Sequence, residues 1–367
     1  MDEQLIIVNK HNLYSDIPKN LCLTEKENIK DGKLNKEVYK NFLEMKKAAR
    51  KFGYHFYVES GYRSYEEQVG LWISRMIKEI LNYIKNYENE IDVDKIKNDI
   101  EKEYFEKYKD WYQSNNLEQC YKQIWKAVFK YLPESIKDKT AQLPIDFDRI
   151  KNIVELKVAH PGTSEHHCGL AFDIQALKFL GTLVPTKRLK QKFEIDLSES
   201  EKESKWLNDN CYKYGFILRY PDGKKVFTGV SHEQWHFRYV GSPEIAKEIM
   251  TNKLTLEEYL IAQNIISKFN NKEDLTPEEI SNYIDDLIMS DLSNIFDDIV
   301  GTVTKKQIRD NKLLLDDLKN YLKGKLVKNN SNEIQKKNQD TQALIQRPTF
   351  EPHSYPTYGD DKDTKHI

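Results

Sequence analysis

Apolar residues recur at three- and four-residue intervals after residue 36, which predicts an amphipathic helix. The positions on its apolar face are Val38, Phe42, Met45, Ala49 and Phe52. Gly53 follows directly and is expected to end the helix. Two short runs rich in β-branched and aromatic residues, Leu5–Val8 and Tyr54–Val58, are predicted to be strands.

Strand composition returns in the second half of the chain. Phe216–Tyr220 and Val226–Thr228 flank Pro221-Asp222-Gly223, which predicts a hairpin, and Trp235–Val240 is a further strand candidate. Between the two halves, Ser64 and Glu67 form a capping box, so a helix is expected to start just after Arg63. The pattern predicts the α+β class, with a small antiparallel sheet and flanking helices.

Residues 75–154 differ from their surroundings because they contain no glycine and carry Trp111 and Trp125 in helically spaced segments. We expect a helical insertion here. Basic residues interleaved with aromatic ones would suit a nucleic-acid or wall-polymer surface, but acidic residues at similar density favour ordinary amphipathic helices. Capping boxes at Thr255 and Thr276 predict a helical C-terminal region at 253–328, and the polar residues 329–367 are expected to be disordered.

Charge and hydropathy exclude several classes of protein. The 367 residues contain 57 Lys and Arg against 59 Asp and Glu, a net charge of −2, so no basic excess indicates nucleic-acid binding. No run approaches 18 apolar residues, so no membrane span is expected. The N-terminus lacks a signal peptide, which predicts a protein that is cytoplasmic as translated. The cysteines are expected to be reduced thiols because they show no disulfide spacing: Cys22, Cys120, Cys168 and Cys211.

Residues 163–174 combine the side chains of a metal site. The imidazole of His166 stands seven positions before the carboxylate of Asp173, with Gly169 between them. Imidazole nitrogen and carboxylate oxygen are ordinary zinc ligands, and a catalytic zinc needs three protein ligands and one open position. Glycine permits the sharp approach that turns His166 toward a strand carrying Asp173. The best source of a third ligand is the segment Glu233–His236.

That segment also satisfies the metalloprotease pattern H-E-x-x-H, with His232 and His236 at its ends. The pattern requires a helix, in which positions i and i+4 share a face. β-Branched and aromatic neighbours, bracketed by Gly229 and Gly241, favour extended chain instead. In a strand the two histidines would lie ~13 Å apart, too far for one ion. The third ligand is therefore predicted to be His236 and not His232.

Three motifs in order carry a family resemblance. The first is Ser60-Gly61-Tyr62-Arg63-Ser64, the second matches S-x-H-x-x-G-x-A-x-D from Ser164 to Asp173, and the third is E-x-x-H at Glu233 and His236. Together they resemble the zinc D-alanyl-D-alanine carboxypeptidases and dipeptidases of the VanY/VanX type. The resemblance covers residues 1–74 and 155–252, which are predicted to form the catalytic domain around the 75–154 insertion.

The resemblance implies one Zn²⁺ per chain, held by three ligands and served by Glu233 as general base. The implied ligands are His166, Asp173 and His236. It also implies Arg63 and Ser164 on the substrate side. Arg63 either meets the developing oxyanion or holds the substrate carboxylate, and Ser164 is either a substrate group or a turn residue.

Two further side chains, Gln68 and Arg219, are candidates for the cleft wall. The implied reaction is hydrolysis of the peptide bond before a C-terminal D-alanine, in peptidoglycan stem peptides or in precursors ending in D-Ala-D-Ala. A lysin-like endopeptidase cutting L-alanyl-D-glutamate is the alternative. A non-catalytic zinc-stabilised binding protein is disfavoured, because a structural site needs no base such as Glu233. Action on the wall from the cytoplasm would require lysis or an unconventional export route.

Overall fold

The structure is a computed structural model that describes residues 3–24, 32–88, 91–113, 115–179, 183–185, 197–269, 276–286 and 315–328. Within these ranges, no helix is both long and apolar enough to cross a membrane. Residues 329–367, which are predicted to be disordered, lie outside the described residues.

A five-stranded antiparallel sheet forms the centre of the fold. Its strands are β3 (His55–Ser60), β4 (Ala171–Phe179), β5 (Leu183–Pro185), β6 (Phe216–Tyr220) and β7 (Glu233–Tyr239). The order across the sheet is β3-β4-β7-β6, and β5 pairs with β4. A separate two-stranded hairpin consists of β1 (Leu21–Leu23) and β2 (Lys33–Asn35). The predicted α+β class with a small antiparallel sheet is confirmed.

One face of the sheet is covered by α1 (Lys36–Arg50), as the apolar spacing predicted. The helix ends before Phe52, however, and Phe52 is exposed, so its place on the apolar face was predicted wrongly. Its buried residues include Val38 and Phe42, and the Phe42 ring meets the Phe172 ring edge-on with centroids 5.5 Å apart. The chain leaves the helix through Gly53, whose φ of +82° lies in the left-handed region. Helix α8 (Leu197–Asn210) adds Trp206 and Leu207 to the same core.

Residues 65–155 of the described chain are helical, with their own apolar core. The helices are α2 (Tyr65–Lys85), α3 (Val93–Tyr104), α4 (Tyr108–Trp111), α5 (Leu117–Tyr131), α6 (Glu134–Thr140) and α7 (Phe147–Glu155). The capping box at Ser64 and Glu67 starts α2, as predicted. Because α2 continues without a break past residue 75, one helix joins the Arg63 corner to the residues predicted as an insertion.

The C-terminal region is helical where the structure describes it. Helices α10 (Pro243–Thr251) and α11 (Leu256–Phe269) are followed by helices at 277–286 and 316–328. The predicted capping boxes at Thr255 and Thr276 are both formed. Apolar residues of all four helices pack in one cluster, together with Ile217 of β6.

Two strand predictions are wrong. Glu3–Leu5 is a 3-10 turn followed by irregular chain, and the carbonyls of Gln4 and Ile6 accept hydrogen bonds from the Arg238 side chain instead of a neighbouring strand. Residues 225–228 form the short helix α9 (Lys225–Thr228), so β6 pairs with β7 across a longer connection. The residues around Gly223 form a turn, as the sequence predicts. Which strand pairs with β6 is set instead by the order of strands in the sheet.

Candidate metal centre

Two of the predicted ligands meet because their strands pair. Asp173 of β4 and His236 of β7 are direct partners in the antiparallel register. The His236 Nδ1 atom lies 3.1 Å from Asp173 Oδ1. Successive strand residues point to opposite faces, so Phe172 and Ile174 enter the sheet's core while Asp173 faces the other side. The alternation that buries Phe172 and Ile174 therefore also directs the Asp173 carboxylate to the opposite face of the sheet.

The third ligand comes from a 3-10 turn, Glu165–Cys168, that ends at Gly169 with φ +68°. His166 Nδ1 lies 2.7 Å from the Gly61 carbonyl oxygen, so it donates there and leaves Nε2 free. That Nε2 atom lies 3.6 Å from Asp173 Oδ1. Gly61 has to be glycine at this point, since a Cβ would come within 2.2 Å of the Lys33 carbonyl oxygen.

The chemistry of this donor set fits zinc. Each of His166, Asp173 and His236 offers one ligand atom, and these atoms lie within 4.8 Å of one another. Tetrahedral zinc with bonds near 2.0–2.1 Å separates neighbouring ligand atoms by roughly 3.3 Å, and the two separations given above bracket that value. All three side chains are buried.

The electrostatic surroundings of two of the three candidate ligands favour the protonation state that binds a metal. Burial, reinforced by the Arg63 charge, lowers the pKa of His166 to about 4, which keeps its imidazole neutral. Burial opposes ionisation of Asp173, but the neighbouring histidines outweigh it and hold its pKa well below the usual range. Burial would also lower the pKa of His236, yet the neighbouring carboxylates of Asp173 and Glu165 raise it to about 9. A metal would therefore displace a proton from His236.

Glu233 stands at the mouth of this cluster. It is the first residue of β7, opposite Tyr220 of β6, and its Oε2 atom lies 3.7 Å from His236 Nδ1. It lines the cavity that contains the three candidate ligands. A carboxylate beside the open side of a metal site is well placed to take a proton from water.

Arg63 lines the same cavity, and hydrogen bonds fix its side chain. Its guanidinium donates to Gln68 Oε1 at 2.8 Å and to Ser60 Oγ at 2.9 Å. The His167 ring fixes the corner, because its Nδ1 donates to the Arg63 carbonyl at 2.8 Å. Two hydrogen bonds and a fixed backbone pre-orient the guanidinium toward the metal cluster.

The remaining site residues considered from the sequence lie in different positions relative to the cavity. Ser164 lines the cavity, and its side chain caps none of the described residues of the following turn. Gln68 and Arg219 are fully buried behind the described cavity lining, which corrects their assignment to the cleft wall. Gln68 instead supports Arg63 and donates to the Ala159 carbonyl at 2.6 Å. His232 lies apart from the ligands, and its Nδ1 donates to the Tyr220 carbonyl at 2.8 Å.

Sequence reasoning missed a charged cluster behind His236. Glu165 is buried and accepts from Arg219 Nε at 2.8 Å and from Arg238 Nη1 at 2.9 Å. Burial would raise the pKa of Glu165, but the two guanidinium charges outweigh it and hold the carboxylate ionised. The available signal was the presence of arginines inside two apolar strands, at Arg219 of β6 and Arg238 of β7.

The cavity has a volume of about 560 Å³ and extends from the ligands to the helical segment 65–155. Three large apolar side chains form that distant wall and are each about half exposed: Leu71, Phe105 and Leu156. The space accommodates a ligand considerably longer than a dipeptide.

Comparison with known protein families identifies the family of this chain. The family profile described as "VanY: D-alanyl-D-alanine carboxypeptidase" matches residues 31–242, more than half of the 367 residues. The match contains all three candidate ligands, Glu233 and Arg63. The chain belongs to the VanY family.

Curated relatives of this VanY-family chain match over a shorter region. "Putative carboxypeptidase YodJ" of Bacillus subtilis is 46% identical over 103 residues, 28% of this chain and 33% of that protein. A D-alanyl-D-alanine carboxypeptidase of Enterococcus faecalis is 44% identical over 106 residues, 29% of this chain and 33% of that protein. The sequence matches thus span about a third of the length of each relative.

Solved structures of the same kind align more widely with the VanY-family chain. A VanY D,D-pentapeptidase variant from a VanB-type resistance cassette, in complex with Zn(II), is 26% identical with a TM-score of 0.43. The alignment covers 71% of this chain and 99% of that one. "VanYB in complex with D-Alanine-D-Alanine" is 27% identical with a TM-score of 0.41, covering 70% and 97%.

Proposed function

We propose that this chain is a zinc-dependent D,D-carboxypeptidase that hydrolyses the peptide bond before the C-terminal D-alanine of peptidoglycan stem peptides or their precursors. One observation carries the proposal. A two-histidine, one-carboxylate donor set, a neighbouring carboxylate and a pre-oriented guanidinium converge on one cavity. Family membership supports the reaction class, and the relative named as a D-alanyl-D-alanine carboxypeptidase supports the substrate class.

His166, Asp173 and His236 would hold one zinc ion. Zinc in such a site acts as a Lewis acid toward the scissile carbonyl and acidifies a water molecule in its open position. Glu233 removes the proton from the attacking water and delivers it to the leaving amine of D-alanine. Arg63 supplies positive charge either to the oxyanion or to the substrate's terminal carboxylate, and Ser164 hydrogen-bonds that carboxylate.

The decisive experiment identifies the product. Purified full-length protein, loaded with one equivalent of zinc, is incubated with pentapeptide muropeptides and separately with D-Ala-D-Ala, and products are identified by mass. Release of D-alanine from the pentapeptide is the expected result. Cleavage between L-alanine and D-glutamate would replace the proposal with the endopeptidase function. Zinc binding without any cleavage would indicate a binding protein.

A further inference from the structure

The buried carboxylate of Glu165 has two oxygens in different surroundings. Oε1 accepts from both Arg219 and Arg238, at the distances given above. Oε2 lies 3.8 Å from His236 Nε2. Both of these atoms are buried, and neither has a hydrogen-bond partner among the described residues. Shortening the distance between Oε2 and Nε2 by less than about 1 Å would bring these two atoms into hydrogen-bond range.

The opposite nitrogen of the same ring faces the metal cluster. His236 Nδ1 lies 3.1 Å from Asp173 Oδ1 and 3.7 Å from Glu233 Oε2. His236 can therefore ligate through Nδ1 only if the neutral ring carries its proton on Nε2. A carboxylate facing Nε2 selects that tautomer, since it can accept a hydrogen bond but cannot donate one.

We propose that Glu165 is a positioning residue that holds the proton of His236 on Nε2 and so presents Nδ1 to the metal. The proposal rests on the metal centre proposed above. Partners that accept the free N–H of a ligating histidine orient the ring and raise its basicity, and losing one typically weakens metal binding about 10–100-fold.

The two arginines make glutamine an informative substitution. They donate to Oε1, so in Glu165→Gln they would require the amide oxygen at that position. The amide nitrogen would then face His236 Nε2 and donate to it, which stabilises the tautomer with the proton on Nδ1. The replacement is nearly isosteric, yet it reverses the polarity at His236.

The cluster continues outward to helix α11 and offers a matched control. Arg219 forms a bidentate pair with Glu257, which is as fully buried as Glu165. The two carboxylates and two guanidiniums balance in charge. Glu257→Gln therefore disturbs the same arginine by the same chemistry, while Glu165 remains anchored by Arg238.

The test compares zinc affinity in the full-length variants by competition with a chelator. Glu165→Gln should weaken zinc binding about 10–100-fold, while Glu257→Gln should stay within about threefold of wild type, although both should melt at lower temperature. Equal zinc affinity in wild type and Glu165→Gln would overturn the proposal, as would equal weakening in both variants.

A second measurement needs no variant. In zinc-loaded wild-type protein with ¹⁵N-labelled histidine, the proposal expects metal ligation by His236 Nδ1 and an exchange-protected proton on Nε2. Ligation through Nε2 would refute it even if Glu165→Gln failed to fold. Neither readout involves a substrate, so the role of Glu165 can fail while D-alanine release is observed, and the reverse also holds.

Discussion

The two candidate histidines present different ring nitrogens to the cluster, and a different group faces the other nitrogen of each ring. His166 is held through Nδ1 by the Gly61 carbonyl, and His236 faces Glu165 through Nε2. Glu233 and Arg63 stand beside the cluster without being part of the donor set. Single substitutions can therefore separate metal binding from proton transfer and from substrate binding.

Glu233→Gln should retain zinc and lose turnover. The substitution keeps the size of the side chain but removes the proton acceptor, and loss of a general base typically costs ~10²–10⁴-fold in kcat. Metal analysis and steady-state kinetics on the same preparation test this. Near-normal kcat in Glu233→Gln would refute the proton-transfer role whatever the zinc content.

His236→Ala should abolish zinc binding, whereas His232→Ala should bind zinc as wild type does. His232 is occupied with the Tyr220 carbonyl, away from the donor set. Equilibrium dialysis with zinc provides the measurement. Zinc loss in His232→Ala together with retention in Asp173→Ala would favour the H-E-x-x-H arrangement instead.

Arg63→Lys keeps the charge but loses the planar fork that Gln68 and Ser60 orient. If Arg63 binds the substrate carboxylate, KM should rise for a free C-terminus and change little for an amidated one. If it stabilises the oxyanion, kcat should fall by a similar factor for both substrates. An unchanged kcat/KM for both would exclude Arg63 from the reaction.

At the scale of elements, the register of β4 against β7 creates the centre. Asp173 stands opposite His236, and a slip of one residue would move either side chain to the other face of the sheet. The 3-10 turn and Gly169 then return the chain so that His166 reaches the same side. The turn conformation is thus part of the candidate metal site, although glycine contributes no ligand.

Gly169→Ala should weaken both stability and zinc binding. A φ of +68° costs a non-glycine residue about 1–2 kcal/mol, and the new Cβ would meet Leu21 Cδ2 at 3.1 Å. Gly223→Ala is the control, because Gly223 has φ +75° with nothing within 4 Å of a Cβ. Both variants should melt at lower temperature, but only Gly169→Ala should lose zinc affinity. Equal zinc affinities would show that the turn tolerates a side chain.

At the scale of the molecule, the cavity connects the sheet with the helical segment 65–155. Arg63 stands at the N-terminal end of α2, and the same helix carries Leu71 of the distant wall. The assignment of 75–154 as a separate insertion remains a prediction, and the continuity of α2 shows only where its helical part is anchored. Apolar side chains half exposed inside a cavity favour contact with the part of a substrate distant from the scissile bond.

Leu156→Ser should raise KM for a muropeptide several-fold and leave D-Ala-D-Ala kinetics unchanged. Loss of apolar contact of about 1 kcal/mol corresponds to roughly fivefold in affinity. Ile153→Ser is the matched control, since Ile153 lies on α7 just before Leu156 and is also exposed, but is not among the residues that line the cavity. Equal losses on large and small substrates would instead place this wall in the catalytic core.

The sequence alone determined the local elements and the chemistry that could serve a metal. Helical spacing predicted α1, capping boxes predicted where helices begin, and strand composition around His236 excluded His232 before any contact was known. Family motifs predicted the ligands, Glu233 and Arg63. These features are encoded within short segments, by periodicity, turn chemistry and side-chain type.

The tertiary structure decided everything that depends on pairing between distant segments. It placed Asp173 opposite His236, turned Val226–Thr228 into helix, and gave the carbonyls of Gln4 and Ile6 an arginine partner in place of a strand. It also buried Glu165 beside His236. Strand order and the burial of charged groups are set by packing of the whole chain, which leaves no periodic signal in the sequence.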